Sequence, residues 1–329
     1  MISSEIIKIL KENKKNFKKI NILCVGDIMM DHYIFGKIER MSPEAPIPIF
    51  LNQSEKFEIG GAGNVAKNIT SFGAKVNLLT PTGNDPTSKK IVDLVKKNKK
   101  ISLFQIKSDK YHTPIKSRYI TDLKQVIRID DERKKFIFSQ TIFKKTEILF
   151  EKLLKKSDLV ILSDYDKGFL SNSLIKVIIK KSNDNKKIVI VDPKKKNFKV
   201  YSNADIITPN LKEITQASKL KKLDIKQLTL FSKNLINRYK IKNILVTMSE
   251  KGLFLINCNY AKKFNAINKK PFDVTGAGDT VIAILSLMIA AKFEIKQSVL
   301  LANYAASIVI KYRGAVSTTY DKLLKKIHQ

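Results

Sequence analysis

The segment DVTGAGD, from Asp273 to Asp279, places two glycines and an alanine between two aspartates, shortly before the apolar run VIAILSLMIAA. Such a run predicts a buried helix, whose first N–H groups lack partners within the helix and attract anions. Asp279 would lie in the first turn as a carboxylate able to accept a proton from a hydroxyl group. A base and an anion hole within one turn predict phosphoryl-transfer chemistry. The same residues also fit a plain glycine turn.

Strand-like segments alternate with helical ones along most of the chain. The apolar runs end in Asp, Gly, Asn, Ser or Pro, which is typical of strands buried on both faces of a parallel sheet. These runs are NILCVGD, KVNLLTPTG, DLVILSD, KIVIVDP, ADIITPN and NILVTMS. Between them, SKKIVDLVKKN, EILFEKLLKKS and LTLFSKNLINRYK are periodic and predict covering helices. The fold predicted is α/β, a doubly wound and mainly parallel sheet with ligands at the strand ends.

Two stretches break this alternation. Residues 32–59 and 103–130 alternate between apolar and polar side chains with period two, and neither shows a helical pattern. This pattern is typical of strands with one wet face, so we expect a small second sheet that covers one edge of the main domain as a lid. A lid of this kind can exclude water from a site. We expect residues 1–329 to form one domain with this lid appended.

Charge and composition restrict the classes of function. The chain has 329 residues, 43% of them apolar, which suffices for a large core, and a formal charge of +32. All but six of its 62 basic residues are lysines, scattered from end to end. Arginine, which binds phosphate and guanine through two parallel hydrogen bonds, is scarce. A basic nucleic-acid-binding protein is therefore a remote alternative, and we expect no nucleic-acid partner.

Neither a metal cluster nor a membrane span is indicated. Cys24 and Cys258 are far apart, and the three histidines are dispersed, so no zinc site or disulfide framework is implied. The first twenty residues resemble an amphipathic helix, not a signal peptide, and VIAILSLMIAA has only eleven residues. We expect a soluble, cytoplasmic protein with no membrane partner.

The motif DVTGAGDT closely resembles the signature of the ribokinase-like carbohydrate kinases, the PfkB family. A second motif, GGAGNVAKNITSFGAKVNLLTPTGND from Gly60 to Asp85, is similar to the sugar-binding glycine pair of that family and the helix that follows it. The order of motifs matches from Asn21 to Thr319. The resemblance implies a ribokinase-like fold and ATP-dependent phosphorylation of a sugar.

Within the family, four further segments resemble one branch. GDIMMDHYIFGKIERMSPEAPIPIF, LSDYDKG, VDPKKKNF and TPNLKEI are similar to the kinase domain of the bifunctional heptose 7-phosphate kinases and adenylyltransferases of lipopolysaccharide core synthesis. The resemblance implies phosphorylation of D-glycero-D-manno-heptose 7-phosphate at the anomeric hydroxyl, giving the 1,7-bisphosphate. We expect a stand-alone kinase, with a separate adenylyltransferase in the ADP-heptose pathway. Another sugar specificity, such as fructose 6-phosphate or ribose, remains open.

The resemblance also assigns roles to individual residues. Asp279 corresponds to the general base. The backbone N–H groups of Gly276, Ala277 and Gly278 correspond to the anion hole. The sugar site would be formed by Asp27, Asp31, Gly60, Gly61 and Asn64. The ATP site would be formed by Asn210, Glu213, Thr247, Ser249, Gly252 and Asn303, with Glu213 organising Mg²⁺ through water. Asp273 and Thr275 match positions that hold a monovalent cation in some relatives, which makes them a candidate K⁺ site.

A substrate that already carries a phosphate needs a cation away from the reacting hydroxyl. Arg118 and Arg128 lie on predicted lid strands, and Lys194 follows the strand KIVIVDP. Each is a candidate ligand for that phosphate, and surface salt bridging is the alternative for each. We also expect a homodimer formed through the lid, because a sheet of this kind has free edges. A catalytically silent protein on the same fold is disfavoured because Asp279, Asn210 and Glu213 are all present.

Overall fold

The computed structural model describes residues 4–122, 124–268 and 271–328. Its main sheet has the strand order β13-β12-β11-β10-β9-β8-β1-β4-β5. These strands are β1 (Asn21–Gly26), β4 (Lys75–Thr82), β5 (Ile101–Lys107), β8 (Leu159–Ser163), β9 (Ile188–Asp192), β10 (Ile206–Ile207), β11 (Asn243–Thr247), β12 (Leu253–Ile256) and β13 (Ala261–Phe264). The seven from β11 to β5 are parallel, and β12 and β13 add an antiparallel edge. The predicted mainly parallel sheet is confirmed.

Helices cover both faces of this sheet. They are α1 (Ser4–Glu12), α2 (Lys14–Phe17), α3 (Ala62–Thr70), α4 (Pro86–Lys96), α5 (Gln140–Leu154), α6 (Asn172–Asp184), α7 (Leu211–Ser218), α8 (Ile225–Tyr239), α9 (Ala277–Ala290), α10 (Ile295–Val309) and α11 (Tyr320–Ile327). Alternate residues of β1 point to opposite faces, so that Ile22 and Cys24 join the core beneath α3, α9 and α10, whereas Leu23 and Val25 join the core beneath α5, α6 and α8. The doubly wound arrangement follows from this two-sided burial. None of the described helices is long and apolar enough to span a bilayer.

A second sheet of four strands has the order β3-β2-β6-β7. Its strands are β2 (Ile28–Met41), β3 (Pro48–Gly61), β6 (Ile115–Ile120) and β7 (Gln125–Asp131). We call this sheet the lid. The chain enters it directly from β1, with only Asp27 between β1 and β2, so the first lid strand begins at the carboxyl edge of the main sheet.

The expectation that the lid includes residues 103–107 is wrong. These residues belong to β5, which pairs in parallel with β4 at the edge of the main sheet. Buried and more exposed side chains alternate along β5, because it lies at the edge of the sheet. A half-exposed antiparallel strand has the same pattern, so the sequence does not distinguish the two. The second lid segment therefore begins at β6.

Candidate active site

A cleft of about 540 Å³ lies at the carboxyl ends of β8, β9 and β11, next to the start of α9. This is the edge at which a doubly wound sheet gathers its ligands. The cleft brings together residues from separate parts of the sequence that were expected to act together. Those residues are Lys194, Asn210, Glu213, Thr247, Ser249, Gly252, Gly276, Ala277, Gly278, Asp279 and Asn303.

The start of α9 has the geometry of an anion site. Gly276 precedes the helix with φ of 75°, a left-handed conformation that favours glycine. A side chain at Gly278 would meet no atom within 4 Å, so the backbone there is open to the cleft. The described residues supply no acceptor for the N–H groups of Gly278 and Asp279. Ala277 departs from the expectation, because its N–H donates to the carbonyl of Val274 at 3.1 Å. The N–H of Gly276 likewise has no acceptor among the described residues, so the candidate anion donors are those of Gly276, Gly278 and Asp279.

Two hydrogen bonds hold the Asp279 carboxylate. The side chain of Asn64 donates to Oδ2 at 2.7 Å, and the hydroxyl of Tyr165 donates to Oδ1 at 2.7 Å. Burial raises the pKa of Asp279 above its ordinary value, the nearby charge of Asp31 adds to that rise, and the two hydrogen bonds oppose it. A carboxylate that is both positioned and made more basic is suited to remove a proton from a hydroxyl group.

The glycine pair Gly60–Gly61 makes room for two aspartates. A Cβ on Gly60 would collide with the carboxylate of Asp31, and a Cβ on Gly61 would collide with the carbonyl of Asp27. Gly61 also has φ of 59°, and the next residue begins α3. In consequence, the first turn of α3 is close enough to α9 for Asn64 to reach Asp279. The predicted sugar-site residues are therefore neighbours of the predicted base.

The three cations proposed for a substrate phosphate are already paired. Arg118 Nη1 lies 2.6 Å from Asp31 Oδ1, and both side chains are almost completely buried. Arg128 lies 2.8 Å from Asp130 and is half exposed. Lys194 lies 3.0 Å from Glu213, among the residues expected to bind nucleotide and not among those expected to bind sugar. Their assignment to the phosphate stays a prediction, and none has its charge uncompensated.

Asp27 is fully buried at the end of β1. Its Oδ2 accepts hydrogen bonds from the N–H groups of Tyr165 at 3.1 Å and Lys167 at 3.3 Å. Its Oδ1 has no partner among the described residues. Burial, together with the charge of Asp164, raises the pKa of Asp27 to about 7. The carboxyl group can thus exchange its proton near neutral pH.

Replacing Asp27 with Asn should stabilise the fold at alkaline pH. A carboxyl group whose pKa is about 7 when folded and 3.8 in its ordinary state costs stability progressively as pH rises between these values. A shift of one pKa unit corresponds to about 1.36 kcal/mol. The increase in the free energy of unfolding for Asp27→Asn therefore has an upper limit of about 4 kcal/mol at pH 8 and vanishes near pH 4. Urea unfolding from pH 4 to pH 8 measures it, with Asp93→Asn as the matched exposed control. A gain that is independent of pH would contradict the assignment.

The side of the cleft that is expected to bind nucleotide is built on the start of α7. Asn210 caps the helix by accepting from the N–H of Glu213 at 2.8 Å, and Glu213 Oε2 accepts from the N–H of Asn210 at 2.9 Å. The pair is therefore a capping box, as its sequence spacing alone would predict. Thr247 ends β11, and Gly252 turns the chain with φ of 87°. Asn303 of α10 donates to the carbonyl of Asn265 at 2.8 Å.

Sequence reasoning assigned no role to Asp192 or Tyr165, although both follow predicted strands. Asp192 ends β9 and lines the cleft. Burial, and then the charges of Asp279 and Glu213, raise the pKa of Asp192 well above its ordinary value. A divalent cation would relieve this crowding of carboxylates, and oxygen donors suit it. Within the described ranges, no three His, Cys, Asp or Glu side chains form a preformed metal cage.

Asp273 is held at the beginning of the DVTGAGD segment. Its Oδ1 accepts from the N–H of Thr275 at 2.9 Å, and its Oδ2 accepts from the N–H of Gly314 at 2.8 Å. Burial disfavours the charged form, but these hydrogen bonds prevail and hold the pKa of Asp273 below its ordinary value. An ionised, partly buried carboxylate fits the candidate monovalent-cation site.

Comparison with known proteins agrees with this geometry. The sequence profile of the pfkB family carbohydrate kinases matches residues 19–322. Bifunctional protein HldE of Campylobacter fetus subsp. fetus is 37% identical over 305 residues, covering 92% of this chain and 66% of that protein. Bifunctional protein HldE of Helicobacter pylori J99 is 36% identical over 309 residues, covering 94% and 66%. The chain spans just under two thirds of the length of these relatives.

Solved structures share the fold at lower identity. Phosphofructokinase-2 from Escherichia coli in complex with potassium has a TM-score of 0.76 and 17% identity, covering 94% of this chain and 98% of that one. Arabidopsis thaliana ribokinase complexed with ribose and ATP has a TM-score of 0.71 and 17% identity, covering 94% and 99%. At these identities the likeness concerns the fold alone.

Proposed function

The chain belongs to the pfkB family of carbohydrate kinases, and from this premise we propose that it transfers the γ-phosphoryl group of ATP to the anomeric hydroxyl of D-glycero-D-manno-heptose 7-phosphate. The observation that carries the reaction is the buried Asp279 carboxylate, fixed by Asn64 and Tyr165 at the start of α9. The choice of heptose is supported by the match to proteins named HldE over more than nine tenths of the chain. The product, heptose 1,7-bisphosphate, belongs to ADP-heptose synthesis for lipopolysaccharide in the cytoplasm.

Each part of the site has a role in this reaction. Asp279 accepts the proton of the attacking hydroxyl group, which makes that oxygen a better nucleophile. The N–H groups of Gly278 and Asp279 donate to the oxygens of the phosphoryl group, where negative charge is concentrated during transfer. Glu213 and Asp192 would hold the water shell of a Mg²⁺ ion, which would supply neutralisation of the phosphate charge. K⁺ at Asp273 and Thr275 would help to order the loop that leads into α9.

A substrate panel tests the proposal. Purified protein with ATP and Mg²⁺ should consume ATP with a strong preference for heptose 7-phosphate over fructose 6-phosphate and ribose. Reactions without a sugar measure background hydrolysis. Preference for a different sugar would reject the heptose assignment while keeping the kinase reaction. Background consumption with every sugar would reject the kinase assignment itself.

We also propose that two copies associate through the outer face of the lid. Ile127 and Ile129 alternate along β7 with Arg128 and Asp130, so they point away from the charged side chains. About half of each isoleucine side chain is exposed, at 52% and 50%. Exposed apolar strands of this kind mark an interface or an aggregation hazard.

Sedimentation velocity at micromolar concentration should give a dimer. Replacing Ile127 and Ile129 together with Lys should shift the protein to monomer, because charges would then be buried in the interface. Ile148→Lys, at an exposed isoleucine of α5 away from the lid, is the matched control and should leave the dimer intact. A wild-type profile that contains only monomer would exclude this interface.

A further inference from the structure

A group of opposite charges lies at the end of the lid that faces the main sheet. Lys116 of β6 is the register partner of Asp31 on β2. Its ammonium group lies 3.2 Å from Asp130 and 3.0 Å from Glu132. Lys167, in the loop after β8, makes a second ion pair with Glu132. Thus one lysine of the lid and one lysine from a loop of the main sheet both contact the carboxylate of Glu132.

These lysines differ from the lysines that cover most of the surface. The side chains of Lys116 and Lys167 are 16% and 23% exposed, whereas that of the nearby Lys135 is 64% exposed. Ordering and partly burying two ammonium groups costs side-chain entropy and hydration. Arg128 also pairs with Asp130, so three cations share the two carboxylates of Glu132 and Asp130, which leaves one positive charge in excess. This arrangement suits an anion with more charge than a carboxylate.

A second observation points to a ligand next to this cluster. Asp27 Oδ1 is buried and has no hydrogen-bond partner among the described residues. The hydroxyl of Tyr111, a residue only 4% exposed, is likewise buried and without a described partner. After burial, the charges of Asp27 and Glu132 are the main causes that raise the pKa of this tyrosine. Buried polar atoms without partners are uncommon and suit a ligand rich in hydroxyl groups.

The loop after β8 connects this cluster to the reacting end of the site. The hydroxyl of Tyr165 contacts Asp279, and the ammonium of Lys167 contacts Glu132. The N–H groups of the same two residues both donate to Asp27 Oδ2. Asp27 therefore lies beside the loop that joins the base to the lysine pair. The base, Asp27 and the lysine pair thus follow one another along the loop. This arrangement matches a sugar that reacts at one end and carries a charged group at the other.

We propose that Lys116 and Lys167 bind the phosphate that the sugar substrate already carries, and that Asp27 and Tyr111 bind its hydroxyl groups. Glu132 lies between the two ammonium groups, in the position that the phosphate would take. A phosphate carries up to two charges and accepts hydrogen bonds through three oxygens, so it competes effectively with one carboxylate. Arg118 is less suited because it has the buried carboxylate of Asp31 to itself. Arg128 is half exposed, and Lys194 lies among the residues expected to bind nucleotide. This inference rests on the proposed function, because it presupposes a phosphorylated sugar.

Calorimetric binding of heptose 7-phosphate and of unphosphorylated heptose tests the proposal independently of turnover. Lys116→Met and Lys167→Met should each raise the Kd for the phosphorylated sugar about 10- to 100-fold, the worth of a hydrogen bond to a charged group. The Kd for unphosphorylated heptose should remain unchanged. Glu132→Gln should lower the Kd for heptose 7-phosphate, because it removes the competing carboxylate. Lys135→Met, which removes one charge nearby, should have no effect.

The Kd for heptose 7-phosphate should rise in the two lysine variants and fall in Glu132→Gln. These opposite changes distinguish phosphate binding from a purely structural role of the cluster. If the cluster only tied the lid to the main sheet, all three variants would weaken binding of both sugars alike, and that result would overturn the proposal. An unchanged Kd in both lysine variants would overturn it as well. Failure of the proposed function would look different. The wild-type protein would then bind neither heptose, and binding would be repeated with the phosphosugar that the substrate panel identifies.

Discussion

Asp279→Asn should lower kcat by about 10² to 10⁴, which is the usual worth of a positioned general base. Asparagine keeps the shape of the side chain and an acceptor for one of the two donors, Asn64 or Tyr165, but it cannot accept the proton of the sugar hydroxyl. Initial rates of ATP consumption with saturating sugar measure the loss. Asp93→Asn, which removes an exposed carboxylate far from the cleft, is the matched control.

Unfolding of the same variant shows whether the loss arises from chemistry or from the fold. The folded protein raises the pKa of Asp279, so the ionised carboxylate costs stability above the pH at which it ionises in the unfolded chain. Asp279→Asn should therefore unfold at the same or higher urea concentration than wild type at pH 8. A variant that keeps full activity would remove Asp279 from the mechanism. A variant that is unfolded would contradict the expected stability and would attribute the lost activity to the fold.

Arg118→Met should destabilise the fold by about 3–5 kcal/mol at neutral pH, the usual cost of removing one partner of a buried ion pair. The variant leaves Asp31 buried and charged, since its Oδ1 loses the guanidinium that lies 2.6 Å away. Urea unfolding measures this effect. Arg128→Met is the matched control because Arg128 is the register partner of Arg118 on β7 yet is half exposed. It should change stability by about 1 kcal/mol or less.

A double-mutant cycle identifies the cause of that loss. Replacing Asp31 with Asn in the Arg118→Met background removes the stranded charge, so the double variant should recover much of the lost stability. Equal losses in the single and double variants would contradict the ion-pair explanation and assign the effect to packing, for instance of Arg118 against Tyr33. The same cycle indicates how strongly the lid depends on this contact.

The parts of the site that sequence reasoning predicted are those that follow a strand or begin a helix. Gly276 and Asp279 could be placed because an apolar helix follows them. The spacing of Asn210 and Glu213 indicates only the start of a helix, and their assignment to the ATP site rests on the family resemblance. Asp192 was within reach of the same reasoning, since it ends the strand KIVIVDP in the way that Asp27 follows β1.

Other features of the site depend on contacts between residues that are far apart in the sequence. The local sequence pattern does not predict such contacts. The burial of Arg118 depends on the register between β2 and β6, which places Arg118 beside Tyr33 and Lys116 beside Asp31. In a chain whose 62 basic residues are nearly all lysines, composition could not single out Lys116 and Lys167. The assignment of residues 103–107 to the lid failed for a related reason, because alternation does not reveal the partner strand.

The position of the new phosphate on the product is the most direct test of the central claim. Phosphorus NMR of the reaction of heptose 7-phosphate with ATP and Mg²⁺ should show a second sugar phosphate whose phosphorus is coupled to the anomeric proton. Asp279→Asn should form this species far more slowly, with the 7-phosphate signal unchanged. A new phosphate on any other carbon, or ADP formed with inorganic phosphate as the only other product, would contradict the account.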